Sequence, residues 1–181
     1  MPCALAAAGG GMLADMAVNA VFGSSHPVHA ATGVKVLNDD DELDFSLPGR
    51  FPLRWQRSYN SLTTREGLFG LGWATPFDSY LTLEENNATW FDETARELSF
   101  ELPPVDRAFY SISEGIIIRR NENGDVAIAD DDGAVWRLYK PTRANPAVLR
   151  LASLSDEYGN ALLTTWDEHG RLVVFTTSHG Q

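Results

Sequence analysis

From Val34 onward the chain alternates rather than spirals. Phe51, Leu53, Trp55 and Tyr59 are separated by Pro52, Arg54, Gln56 and Ser58, a period of two that buries one face of an extended strand. Ser79 to Leu83, Ala88 to Phe91 and Glu97 to Leu102 are short β-prone runs, the first two parted by Asn86-Asn87 as by a turn. The β-branched run Ile116-Ile117-Ile118 is followed by Asn123-Gly124, a return strand from Val126 to Ala129, Asp132-Gly133, and a third run from Val135 to Tyr139. Asn-Gly favours a two-residue type I′ turn, in which both central residues take positive φ. The pattern therefore predicts a three-stranded antiparallel meander. Leu149 to Leu154, Ala161 to Trp166 and Leu172 to Thr177 complete about a dozen short strands, so the fold class is all-β, in antiparallel meanders. Only the start departs from this period. Met12, Leu13, Met16, Ala17, Ala20 and Val21 form one helical stripe, with Asp15 and Asn19 on the other side, which predicts a short N-terminal helix in need of a partner surface.

Composition narrows the function. The chain has 181 residues, 44% of them hydrophobic, with five Trp, five Tyr and nine Phe, enough to bury a core. Fourteen Lys+Arg against 25 Asp+Glu leave a net charge of −11, which argues against nucleic acid as a partner and against a polybasic membrane anchor. A single cysteine, Cys3, provides neither an internal disulfide nor a cysteine-based zinc site. No Lys or Arg precedes Lys35, so the cationic start of a secretory signal peptide is missing.

The residues that bear chemistry are scattered. His26 and His29 stand three apart without an acidic or cysteine partner, and His169 and His179 fall in turns. Asn38, Asp40, Glu42 and Asp44 alternate and would share a strand face, but without the tight-turn glycine of a calcium loop. Asp130-Asp131-Asp132-Gly133 reads as a hairpin tip, and Asn121 to Asp125 lacks the downstream Glu of an EF-hand. The adjacent carboxylates Asp92 and Glu93 would point apart on a strand. No Gly-x-Ser-x-Gly elbow occurs. The expectation is no enzyme, no metal and no cofactor. Trp55, Trp73, Trp90, Trp136 and Trp166 read as core residues, with sugar-stacking platforms as the competing use.

Near the C-terminus a unit recurs. Asp156-Glu157-Tyr158-Gly159-Asn160 is a turn, Ala161 to Trp166 a strand, and Asp167-Glu168-His169-Gly170 a second turn before Arg171-Leu172; Gly180 repeats Gly159 after 21 residues. Units of two strands and two turns bury their apolar faces only by stacking on neighbours.

Tyr158-Gly159-Asn160 followed by Trp166-Asp167-Glu168-His169-Gly170-Arg171-Leu172 resembles the YD repeat of Rhs proteins: an aromatic, Asp, two variable residues, then Gly-Arg-Leu. Trp166 stands where that family usually has Tyr. His26-Pro27-Val28 with Ala31-Thr32-Gly33 resembles the opening motif of the domain that heads Rhs shells. Asp44 to Gly49, Leu53-Arg54-Trp55-Gln56-Arg57-Ser58-Tyr59-Asn60-Ser61 and Gly70-Leu71-Gly72-Trp73 resemble its first strands and Gly-x-Gly-Trp turn. The resemblance divides the chain into an apolar helical leader or remnant of an upstream segment over 1–25, an Rhs N-terminal β domain over 26–150, and a first YD repeat with the start of a second over 151–181.

That resemblance implies a non-catalytic segment at the base of a cocoon-like β-shell that encloses a C-terminal toxin, in a type VI secretion effector of bacterial competition. Its partners would be the rest of the shell or the toxin, with PAAR spike proteins and an Eag-type chaperone upstream. Met12, Leu13 and Met16 are the residues for such a chaperone contact. The chain would be bacterial, cytoplasmic before export, then secreted or at the cell surface. It reads as a truncated, split or excised piece whose open sheet edge favours self-association. A cell-surface carbohydrate-binding module and an inert truncated product are the competing readings.

Overall fold

The computed structural model describes residues 34–37 and 43–180; Met12, Leu13, Met16, Pro27, Thr32, Gly33 and the stretch expected to be helical lie outside them. The described part is all-β and antiparallel. Its first strands are short: β1 (Val36–Leu37), β2 (Leu43–Leu47), β3 (Leu53–Gln56), β4 (Ser58–Asn60), β5 (Glu66–Gly67), β6 (Gly70–Leu71) and β7 (Trp73–Ala74). They pair as a three-stranded sheet β1-β4-β7 and two hairpins, β2-β3 and β5-β6. Then follow β8 (Tyr80–Glu84), β9 (Asn87–Phe91), β10 (Glu97–Glu101), β11 (Ala108–Ser111), β12 (Ile116–Arg120), β13 (Val126–Asp130), β14 (Val135–Pro141), β15 (Val148–Asp156), β16 (Ala161–Trp166) and β17 (Leu172–Thr177). These ten form one sheet.

The order β10-β9-β8-β15-β14-β13-β12-β11 dictates the curvature. Laid flat, seven strand spacings put β10 and β11 ~34 Å apart. The chain from Glu101 to Ala108 reaches at most ~25 Å. The sheet must therefore curl, and one hydrogen bond registers it: Trp90 Nε1 on β9 donates to Tyr139 Oη on β14 at 2.8 Å, although the two strands lie three spacings apart. The sheet stays open, because β10 and β11 do not pair. Its concave face holds the apolar core of Leu81, Trp90, Ile118, Val126, Ile128, Tyr139, Leu149 and Leu151, where each fully buried aliphatic side chain contributes roughly 1.5–3 kcal/mol.

β15 is the branch point. It pairs with β14 along one edge; along the other it pairs first with β8 at Val148 to Arg150, then with β16 at Ser153 to Ser155. Residue 150, where the resemblance divides domain from repeat, lies within this strand. Between Leu151 and Ser153 the register against β14 slips, leaving Ala152 as a bulge. A bulge changes parity, so Leu149, Leu151 and Leu154 all reach the core. The carbonyl of Leu151, freed at the branch, accepts from Thr164 Oγ1 at 2.5 Å and Trp166 Nε1 at 2.7 Å.

Two turns differ from the sequence expectation. The β8–β9 turn is Glu85-Asn86, one residue earlier than Asn86-Asn87, with Glu85 at φ 54°. The β12–β13 connection is not a two-residue type I′ turn. The amide of Gly124 donates to Asn121 O and that of Asn121 to Asp125 O, and only Gly124 has positive φ, at 82°. It is a three-residue loop, a type I turn closed by a left-handed glycine. The Asn121 side chain causes the difference, because its Oδ1 accepts the Asp125 amide at 2.9 Å.

Candidate functional site

That loop is one of a set. At Asp92-Glu93-Thr94-Ala95-Arg96, Asn121 to Asp125, Asp156 to Asn160 and Asp167 to Arg171, the fourth residue's amide donates to the first carbonyl and the first amide to the fifth carbonyl. The fourth residue is left-handed each time: Ala95 at 62°, Gly124 at 82°, Gly159 at 81° and Gly170 at 74°. The first side chain also accepts the fifth amide, from Arg96, Asp125, Asn160 and Arg171 respectively. The fifth side chain returns the bond where it can. Arg96 Nε reaches Asp92 Oδ2 at 2.8 Å, Asn160 Nδ2 reaches Asp156 Oδ2 at 2.8 Å and Arg171 Nε reaches Asp167 Oδ2 at 2.7 Å. Each side chain thus closes the turn its own sequence opens.

Charge follows from these bonds. The Asn160 side-chain amide, with the backbone amides behind it, holds the Asp156 carboxyl below the usual carboxylate range. The Arg171 amide, with its guanidinium and the His169 amide, does the same for Asp167.

The last of these turns joins β16 to β17. β17 pairs with β16 alone among the described residues, so its outer edge is unpaired. A bulge at Val173 adjoins the turn, and Val174 to Thr177 then run in regular register. Val173 and Val174 are exposed, while Leu172 and Phe175 pack against the core.

Phe175 is held by the first strands. Its ring centroid lies 4.6 Å from that of Phe77 and 5.9 Å from that of Trp55. Trp55 stacks on Phe77 at 5.2 Å and on Phe45 at 5.9 Å, with Phe69 edge-on at 6.3 Å. Beside this clasp a groove of about 550 Å³ runs between Leu47 to Phe51 and β16–β17, where His179 Nε2 lies 3.3 Å from Asn160 Oδ1.

Behind the clasp sits a second cluster. Asp44 is the bulged residue of β2, and this turns its carboxylate onto Arg57 Nε and Nη2, both at 2.7 Å. Arg57 lies over Trp73 at 5.3 Å, and Tyr59 tilts against Trp73 at 5.1 Å. At Gly72, with φ 83°, a Cβ would fall 2.7 Å from Tyr59 Cε2, and at Gly67 one would fall 2.1 Å from Trp73 O. No other residue fits either place.

The structure thus gathers Trp55 into the clasp and Arg57, Tyr59, Gly72 and Trp73 into the second cluster, and it places Trp166, Asp167, Gly170, Arg171 and Leu172 around the last turn. Arg54 is exposed on β3, Gly70 faces open space, and Tyr158 is 81% exposed beside Gly159. Trp90 is buried, and Trp73, Trp90, Trp136 and Trp166 each have an arginine over one face: Arg57, Arg137, Arg119 and Arg150.

Sequence reasoning missed the ionic centre. Arg65 and Asp78, both buried, pair at 3.1 Å. Arg65 also donates to the carbonyls of Asp78 and Asp92, and Asp78 accepts the amides of Leu68 and Thr75. Asp92 and Glu93 lie in a turn rather than on a strand; Asp92 serves Arg96, and Glu93 meets Arg137 at 2.5 Å. A signal existed for Asp92: Asp-Glu-Thr-Ala-Arg repeats Asp-Glu-His-Gly-Arg with Ala in place of Gly. Nothing in the pattern around Arg65 distinguishes it. Among the described residues no group of three or more His, Cys, Asp or Glu could hold a metal.

Residues 25–100 match the family model described as "Domain of unknown function (DUF6531)". The chain is 24% identical over 192 residues to the double-stranded DNA deaminase toxin A of Burkholderia cenocepacia (strain H111), an alignment that covers 99% of this chain and 13% of that protein. It is 27% identical over 150 residues to the tRNA3(Ser)-specific nuclease WapA of Bacillus spizizenii, and 26% identical over 150 residues to the tRNA nuclease WapA of Bacillus subtilis (strain 168). Both alignments cover 82% of this chain and 6% of the relative. The chain therefore carries a DUF6531 match over residues 25–100 and is homologous to a short stretch of much longer toxin and nuclease proteins.

Proposed function

We propose that this chain is a non-catalytic structural segment of an Rhs-type, YD-repeat toxin, at the base of the β-shell that encloses a C-terminal toxin domain. One observation carries the reading. A hairpin closed by the Asp167–Arg171 turn branches from β15, is clasped on one side through Phe175, and leaves the other edge of β17 unpaired. A strand held that way is a template for the next strand. The curled, open sheet supports the same reading, since its interior is apolar side chains rather than a polar pocket. The relatives' deaminase and nuclease chemistry belongs, in this reading, to parts of those proteins outside the 13% and 6% that align.

Self-association tests it. The purified chain should associate as its concentration rises, by multi-angle light scattering, and Val174→Lys should return it to monomer by charging the β17 edge. A wild-type chain that stays monomeric at high concentration overturns the open-edge reading.

A further inference from the structure

The outer face of the sheet carries two like charges in direct register. Arg150 on β15 is the Cα partner of Lys140 on β14, so both side chains leave the same face, opposite the buried Tyr139, Leu149 and Leu151. Like charges placed directly opposite on neighbouring strands repel. Among the described residues neither side chain has an ion pair or a hydrogen bond to relieve this. Asp78, the carboxylate that acts on Arg150, is committed to Arg65.

Arg150 is held in place nonetheless. Its guanidinium lies between two rings, 5.3 Å from the centroid of Tyr80 on β8 and 5.2 Å from that of Trp166 on β16. These strands diverge from β15 on either side of the branch, so the guanidinium spans the notch between them. Tyr80 is in turn backed by Phe91 at 4.4 Å and by Arg65 at 5.0 Å. Stacking occupies the faces of a guanidinium and leaves its N–H donors along the edges. Burial holds Arg150 below the usual range for arginine, and the positive charge of Arg65 adds to this. Elsewhere the chain is acidic, with a net charge of −11.

We propose that Arg150 and Lys140, walled by Tyr80 and Trp166, form a binding site for an oxyanion, a phosphate or carboxylate group. The planar fork of Arg150 takes two of its oxygens, and the Lys140 ammonium takes a third oxygen of a phosphate or shares one of the two of a carboxylate. Bound there, the anion turns the repulsion across β14 and β15 into attraction. The site lies on the convex face and is independent of whether β17 is extended.

Calorimetry on the whole chain tests it, with inorganic phosphate and acetate titrated separately at fixed ionic strength in a chloride background. The wild type should bind at least one of them saturably, and the tighter of the two names the group. Lys140→Glu places a carboxylate opposite Arg150 from an exposed position, and should weaken binding by about tenfold or more, the scale of a lost charge-assisted contact. Arg143→Glu makes the same change of net charge at an exposed position outside the cluster, and should leave binding within about twofold, since screening mutes distant charges. Absence of saturable binding by the wild type, or equal losses in Lys140→Glu and Arg143→Glu, overturns the proposal.

Discussion

The hairpins β9–β10 and β16–β17 share one turn and differ in their edges. Both are closed by Asp-Glu-x-small-Arg, with the Arg Nε on the Asp carboxylate, at 2.8 Å in the first and 2.7 Å in the second. Both end a branch of the large sheet. Yet β10 presents Glu97, Ser99 and Glu101 to solvent, whereas β17 carries no charge from Leu172 to Thr177. Charge on an edge strand blunts it against further pairing, and an uncharged edge invites it. The turn decides that a hairpin forms, and the edge composition decides whether the sheet stops there. β11, a third sheet end, is apolar at Phe109 and Tyr110 but only four residues long.

The largest expected effect comes from breaking the two turns. The Asp92 side chain is buried and accepts from the Thr94 and Arg96 amides, Thr94 Oγ1 and Arg96 Nε. Asp92→Ala strands those donors and should cost roughly 1.5–3 kcal/mol in urea unfolding, the scale for hydrogen bonds to a buried charged group. Asp167→Ala opens the solvent-exposed copy and should lower stability much less. Equal losses would show that burial does not separate the hairpins.

The next effect exchanges the edges. Glu97→Val with Glu101→Val gives β10 the character of β17, and the double variant should self-associate even when Val174→Lys blocks the other edge. Light scattering that shows a monomer would mean that charge is not what ends the sheet at β10.

Acid should have the smallest effect. The folded-state carboxyls of Asp156 and Asp167 lie below their ordinary range, so their stabilisation is present above the unfolded value and is lost as pH falls through the folded one. Their contribution should be flat between roughly pH 5 and 8 and disappear below about pH 4. Asp167→Asn should shrink that acid limb in thermal melts monitored at several pH values. An unchanged limb would place the acid sensitivity elsewhere.

Much of the fold was legible in the linear pattern. Alternation at Leu53-Arg54-Trp55-Gln56 marks a strand, because a strand's side chains change face at every residue, and the β-branched run Ile116-Ile117-Ile118 marks another. Gly124, Gly159 and Gly170 mark turns, because the left-handed conformation penalises a Cβ. The turn at Asp92 escaped notice because Ala95 takes that conformation with a methyl group in place.

What the sequence determined alone is local: strand period, turn position, and the bond between first and fifth side chains that closes each of the four five-residue turns. The tertiary structure decided the rest. Arg65 meets Asp78 across thirteen residues, Trp55 meets Phe175 from opposite ends of the described chain, and Arg150 faces Lys140 only after β14 and β15 pair. Such contacts depend on how far the sheet curls and where β15 branches. Those depend in turn on the short β10–β11 connection and a single bulge at Ala152, whose effect no window of neighbouring residues contains.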